Sequence, residues 1–122
     1  MTLVYSDRTG ELTTGTGTGA LTLQGALTAY QAFSTGIGNN NSVDYSIVAR
    51  SGGKWEVGRG TISLSGAFYY LERNAVNVYS GSSGAATLVD FDTGVKEVLC
   101  VFPAVLVSSF NVNASSAGAA AV

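Results

Sequence analysis

Few side chains in this chain are equipped for catalysis. It has no histidine, so the commonest general base and metal ligand is missing. Ser/His/Asp and Cys/His arrangements are thereby excluded, and one cysteine leaves zinc without a thiolate set. Cys100 lies in the apolar run Val98-Leu99-Cys100-Val101-Phe102, where a buried, inert thiol is expected, and it has no partner for an internal disulfide. Asp90 and Asp92 flank Phe91 and would share one face of a strand. That spacing suits a hard cation or an acid pair, but two solvated carboxylates at a turn are the favoured reading. Glu72 beside Arg73 reads as a surface ion pair of small worth. The alternating glycines of Gly15-Thr16-Gly17-Thr18-Gly19 suggest a phosphate loop, but no Gly-Lys-Ser/Thr follows and no helix begins there. The expectation is a non-enzymatic protein with no catalytic residues, no metal and no cofactor.

What must position these residues is set by composition. A chain of 122 residues fits one domain with a real core. Hydrophobic residues make up 46% and charged residues only 11%, under half of the usual charged share of about 25%. Sixteen glycines and one proline fit short strands joined by Gly/Ser/Asn turns rather than long charged helices. Exposed faces must then be Thr, Ser, Gly and Asn with apolar residues left over, and burial of part of that surface between copies is the natural explanation. The net charge of −2 and six scattered basic residues, Arg8, Arg50, Lys54, Arg59, Arg73 and Lys96, argue against nucleic-acid binding. No stretch reaches the roughly 18 apolar residues of a membrane span. The opening segment Met1-Thr2-Leu3-Val4-Tyr5-Ser6-Asp7 lacks the basic and apolar parts of a signal peptide, so a product of the cytoplasm is expected.

The chain is organised around Gly52-Gly53-Lys54-Trp55-Glu56-Val57-Gly58-Arg59-Gly60-Thr61-Ile62, where a glycine turn opens a strict alternation. A period of two marks a half-buried strand. The only tryptophan makes Trp55 and Val57 the expected core face, with an exposed Trp55 at a ligand or partner site as the alternative. Val43, Tyr45 and Ile47 share one face of the preceding strand, and Ser51-Gly52-Gly53 makes the hairpin between them. Leu27 to Ser34 predicts one or two helical turns that pack Tyr30 and Phe33 inward. Ser65-Gly66 turns the chain into the aromatic stretch from Phe68 to Leu71, and Val76 and Val78 alternate with Asn77. Thr87 to Phe91 and Val95 to Phe102 read as a last strand pair across the Asp92-Thr93-Gly94 turn. Eight or so short strands predict an all-β fold, an antiparallel sandwich or flattened barrel. The expected divisions are an extended arm over 1–14, which could equally be an edge strand or dock on a neighbour, a β domain over 15–104, and a strand with a small-residue tail over 105–122. Trp55, Val57, Tyr30, Phe33 and Phe102 are the expected core or interface anchors.

Several of these segments recur together in a recognisable order. Asp7-Arg8 precedes a Thr/Gly run, then Gly17-Thr18-Gly19-Ala20-Leu21-Thr22-Leu23-Gln24-Gly25-Ala26 and Tyr30-Gln31-Ala32-Phe33. Trp55-Glu56-Val57-Gly58 with Gly60-Thr61 follows, then Leu71 and Arg73 leading to Ser82-Ser83. Leu88-Val89-Asp90-Phe91 runs through Gly94-Val95-Lys96 to Phe102-Pro103-Ala104. Over about residues 7–104 this order resembles a module of tailed-bacteriophage virion proteins, found both stand-alone and in tail-fibre-like chains. The resemblance implies a virion building block without catalytic residues, made in the host cytoplasm, whose partners are copies of itself and other tail or capsid proteins. The added apolar tail Val105 to Val122 and the lack of fibre repeats speak against a receptor-binding fibre and for attachment or decoration, with a tail adaptor or fibre-attachment piece as the first choice. Capsid decoration is the alternative within that class. A carbohydrate-binding module, with Trp55, Tyr69, Tyr70 or Tyr79 as stacking platforms, is the alternative outside it.

Overall fold

The computed structural model describes residues 2–74, 79–80 and 88–103. Seven strands and one helical turn follow in the order β1 (Gly10–Thr13), β2 (Leu21–Thr22), α1 (Phe33–Gly36), β3 (Ser42–Ala49), β4 (Trp55–Ser65), β5 (Phe68–Arg73), β6 (Tyr79–Ser80) and β7 (Lys96–Cys100). Six of them lie side by side as β1-β7-β3-β4-β5-β2, and β6 pairs with β4. Every strand pairing is antiparallel. The sheet curls until residues 24–27, just past β2, meet β1. The Gln24 and Leu27 amides donate to Leu12 O and Gly10 O, and the Leu12 amide donates to Gly25 O at 2.9 Å. The result is an all-β, nearly closed antiparallel barrel.

The β3–β4 hairpin sets which side chains face inward. Val43, Tyr45 and Ile47 are fully buried on β3, as their spacing predicts. The register pairs Val43 with Gly60, Tyr45 with Gly58 and Ile47 with Glu56. Large side chains of one strand therefore stand opposite glycines of the next, which leaves room for them inside a narrow barrel. A Cβ on Gly60 would come within 2.3 Å of the Glu72 carbonyl oxygen. Ile62, Leu71, Val98, Leu21 and Leu23 complete the wall of the core, and Phe33, Ile37, Val89 and Phe91 fill it from the loops. The turn between β3 and β4 places Gly52 and Gly53 at φ 88 and 75, a left-handed pair that other residues adopt at a cost.

Trp55 does not belong to this core. The alternation along β4 is as expected, but its phase is inverted: Glu56, Gly58, Gly60 and Ile62 face in, and Trp55 is 41% exposed beside half-buried Val57. The physical reason is the register. Trp55 lies opposite Val48, and Val48 must point outward once Val43, Tyr45 and Ile47 point inward. Phe102 is likewise exposed at 46%, so of the five expected anchors only Phe33 is fully buried, while Tyr30 is half-buried. Phe33 opens the single turn of α1.

Within 1–14, read as an edge strand or a docking arm, residues 10–13 are a sheet strand paired with β7. Phe91 bridges Gly17 rather than the chain after the Asp92-Thr93-Gly94 turn, so the expected last strand pair does not form; β7 pairs with β1 and β3 instead. Seven strands stand among the described residues where about eight were expected. Val76, Val78 and the 105–122 tail lie outside the described residues.

Trp55→Ala is expected to cost about 1 kcal/mol or less because the ring is already half in water, whereas Phe33→Ala costs about 3–5 kcal/mol. Gly60→Ala destabilises by about 1–3 kcal/mol through overpacking against the Glu72 backbone. Urea denaturation of the three variants checks the ranking, and a Trp55→Ala loss equal to that of Phe33→Ala would return the ring to the core.

Candidate functional site

Inside the barrel sits an ion pair of two residues whose sequence reading pointed them outward. Glu56 and Arg73 have no side-chain exposure at all, and Arg73 Nη2 donates to Glu56 Oε1 at 2.6 Å. Arg73 Nε donates to Glu56 Oε2 at 3.0 Å, and the Tyr45 hydroxyl donates to the same oxygen at 2.5 Å. The Val89 amide donates to Oε1 at 2.8 Å. Arg73 spends its remaining hydrogens on loops, reaching Gly17 O and Gly19 O from Nη1 and Val89 O from Nη2. The guanidinium carbon also lies 5.2 Å from the Phe91 ring centre. Adjacent strand residues point to opposite faces, so Arg73 turns inward while its neighbour Glu72 is exposed. The surface pair expected between those two does not form.

Lys96 and Glu11 repeat the pattern. Lys96 is 1% exposed and donates from Nζ to Gly15 O and Gly94 O, both at 2.7 Å. Glu11 accepts from the amides of Gly25 at 3.0 Å and Phe33 at 2.8 Å. The Thr/Gly segment thus supplies carbonyls to buried cations rather than amides to a phosphate. Among the described residues, every buried side-chain nitrogen or oxygen has a partner, and no group of three or more acidic or cysteine ligands stands together. Lys54 ties down the Asp90-Phe91-Asp92 turn, donating to Asp90 O at 2.9 Å and pairing with the Asp92 carboxylate at 3.0 Å. Both aspartates are exposed, and Asp92 has Lys54 as its charge partner, which suits the solvated reading.

A second polar set lies on the outer wall of β3. Asp44, 2% exposed, accepts from Arg59 Nε at 2.8 Å and Nη2 at 3.2 Å, and from the Tyr5 hydroxyl. Beside it, Tyr5, Ser6, Asp7, Cys100, Val101 and Phe102 line an open cleft of about 380 Å³. Burial pushes the Cys100 thiol up, which keeps it protonated at neutral pH and poorly nucleophilic.

The outer surface carries the remaining large apolar groups: Leu3, Tyr5, Val48, Trp55, Leu64, Phe68 and Phe102, each between 38% and 56% exposed. They fall in small separate groups, with Tyr5 against Phe102. Val48 and Trp55 face each other across β3 and β4, and Phe68 stands opposite Ser65 at the β4–β5 turn. Tyr70 pairs with Ser63, eight positions along β4 from Trp55, or about 26 Å at the rise of a strand. Tyr69 packs against the core. The rings proposed as sugar platforms do not line one groove, and the side chain of Tyr79 lies outside the described residues.

Geometry thus defines a nearly closed antiparallel barrel with an internal ion pair and scattered apolar side chains on its outer wall. Comparison with family models, curated proteins and solved structures returns no match.

Removing one member of the internal pair strands the other. Arg73→Met is expected to cost about 3–5 kcal/mol, and Glu56→Gln/Arg73→Met to recover part of it; full recovery would mean that the bonds from Arg73 to the loops contribute nothing. A second test is alkaline. Burial, then the bond to Asp44, pushes the Tyr5 hydroxyl up to about 12. Burial and the Glu56 charge push Tyr45 up further. A raised acid pKa favours the folded state while the tyrosine is protonated; that contribution is complete below about pH 10 and fades as pH rises through the folded values. Thermal melts from about pH 8 to about pH 11 should show Tm falling above about pH 10, with a shallower fall in Tyr45→Phe. Equal slopes in both proteins would detach Tyr45 from the effect.

Proposed function

We propose that the chain is a non-enzymatic structural protein of a tailed-bacteriophage virion, a homo-oligomer serving as a tail-associated adaptor or fibre-attachment piece. One observation carries the assembly part of this reading: among the described residues, Glu11, Glu56, Arg73 and Lys96 are buried while seven large apolar side chains, Tyr5 with Phe102 and Val48 with Trp55 among them, stand on the outside. Surface of this kind loses its contact with water when copies pack together. The placement of the assembly on a virion rests on the resemblance in motif order, from Asp7-Arg8 through Trp55-Glu56-Val57-Gly58 to Phe102-Pro103. Function on this reading is packing, with apolar and Thr/Gly surface buried between copies and against other virion proteins. A lasting contact needs about 1,000 Å² or more of buried surface, which the dispersed patches reach only when several of them are covered together.

Mass spectrometry of purified virions, after separation of heads from tails, tests the reading. The expected result is enrichment with tails. Enrichment with heads, at a copy number near that of the capsid subunit, would overturn the tail placement in favour of capsid decoration. Absence from both fractions would overturn the virion reading itself.

A further inference from the structure

The first described residues form a strap on the outside of the barrel. The Val4 amide donates to Ser42 O at 2.9 Å, and the Ser42 amide donates to Thr2 O at 2.7 Å. These bonds make a parallel bridge between Leu3 and Ser42, unlike the antiparallel strand pairings of the barrel. Further along, the Tyr5 hydroxyl donates to Asp44, and the Tyr5 ring meets Phe102 edge-on with centres 5.4 Å apart. Val4 packs against the core, while Leu3 is 38% and Tyr5 40% exposed.

Between the strap and β1 the chain turns at Asp7-Arg8, and Arg8 has φ 52. A non-glycine residue in that region is strained and stays there only when its surroundings hold it. Here the hold comes from the 29–31 segment. Gln31 Nε2 donates to Ser6 Oγ and Asp7 O, both at 2.9 Å, and the Gln31 amide donates to Arg8 O at 2.6 Å. The Arg8 guanidinium lies 3.9 Å over Tyr30, and its Nε donates to Ala29 O at 3.3 Å. Ala29 itself sits at φ 66. A strained turn, clasped by one segment, thus joins a strap held on Ser42, Asp44 and Phe102 to a firmly paired strand.

We propose that residues 2–5 exchange between copies: the Asp7-Arg8 turn opens, and the strap of one chain docks on Ser42 and Asp44 of a second. The proposal rests on the homo-oligomer reading above and supplies its means. A second copy is the fitting occupant because it offers the same Ser42 carbonyl and amide, the same Asp44 and the same Phe102 ring, so the strap's contacts are all remade. Exchange gives up the Gln31 clasp and releases Arg8 from the left-handed region. Strained hinges favour such swaps. Six extended residues reach about 20 Å, enough to cross to a neighbour that packs on this wall. The exposed Leu3, Tyr5 and Phe102 are then covered where two chains cross.

The test is a disulfide trap in the full chain with Cys100→Ser, carrying Leu3→Cys and Ser42→Cys. After oxidation, non-reducing electrophoresis separates links within a chain from links between chains, and sedimentation of the unoxidised protein reports its oligomeric state. The expected result is a sedimenting oligomer whose disulfides join different chains. Arg8→Pro, which forbids the turn, should raise the interchain share several-fold, and Arg8→Gly, which accepts the turn without strain, should lower it. Intrachain links in a sedimenting oligomer would overturn the exchange and leave the homo-oligomer reading standing. Intrachain links in a monomer would overturn both.

Discussion

The buried pair of Glu56 and Arg73 is the interaction on which the rest of this fold depends. Two charges taken out of water cost several kcal/mol each unless every hydrogen and lone pair is met. Here they are met by parts of the chain far apart in sequence: Tyr45 on β3, the amide and carbonyl of Val89, and the carbonyls of Gly17 and Gly19. The pair joins β4 to β5 and fixes two segments that have little regular structure of their own. A chain with 16 glycines gives up much backbone entropy on folding. Ionic hydrogen bonds to loop backbone, at roughly twice the strength of neutral ones, are a compact way to offset it.

Lys96 and Glu11 extend the same solution to the loops at Gly15, Gly94 and Gly25 and to the start of α1. Of eight acidic and six basic residues, Glu11, Asp44, Glu56, Arg73 and Lys96 are buried. About a third of the charge thus goes to bracing the fold from within, and the outer wall keeps a few charged pairs among Thr, Ser, Gly and scattered apolar side chains. Core architecture and surface character follow from one allocation.

Much of the β architecture was legible because it rests on local signals. The period of two in β3 and β4, the Gly52-Gly53 and Gly66 turns, and the inward face of Val43, Tyr45 and Ile47 all read directly from the sequence. The phase of β4 did not, because alternation defines two faces without saying which is inside, and the size of Trp55 pointed the wrong way. The signal was present at Ile62, which shares its parity with Glu56, Gly58 and Gly60, and in the four-residue turn that sets Val48 against Trp55. Inverting that phase also hid the candidate site, since Glu56 and Arg73 looked solvent-facing. Barrel closure through residues 24–27 was out of reach for a different reason: it is made by backbone groups meeting β1, which leave no mark on side-chain pattern.

Closure has a consequence for crowding. An open sheet at high local density invites its own kind to add at the margin, strand upon strand, without limit. A wall that returns on itself leaves few backbone donors and acceptors for such growth. At high concentration, contacts between copies of the described barrel then fall to side-chain surfaces, whose shapes fit a finite set of neighbours, rather than to open strand margins.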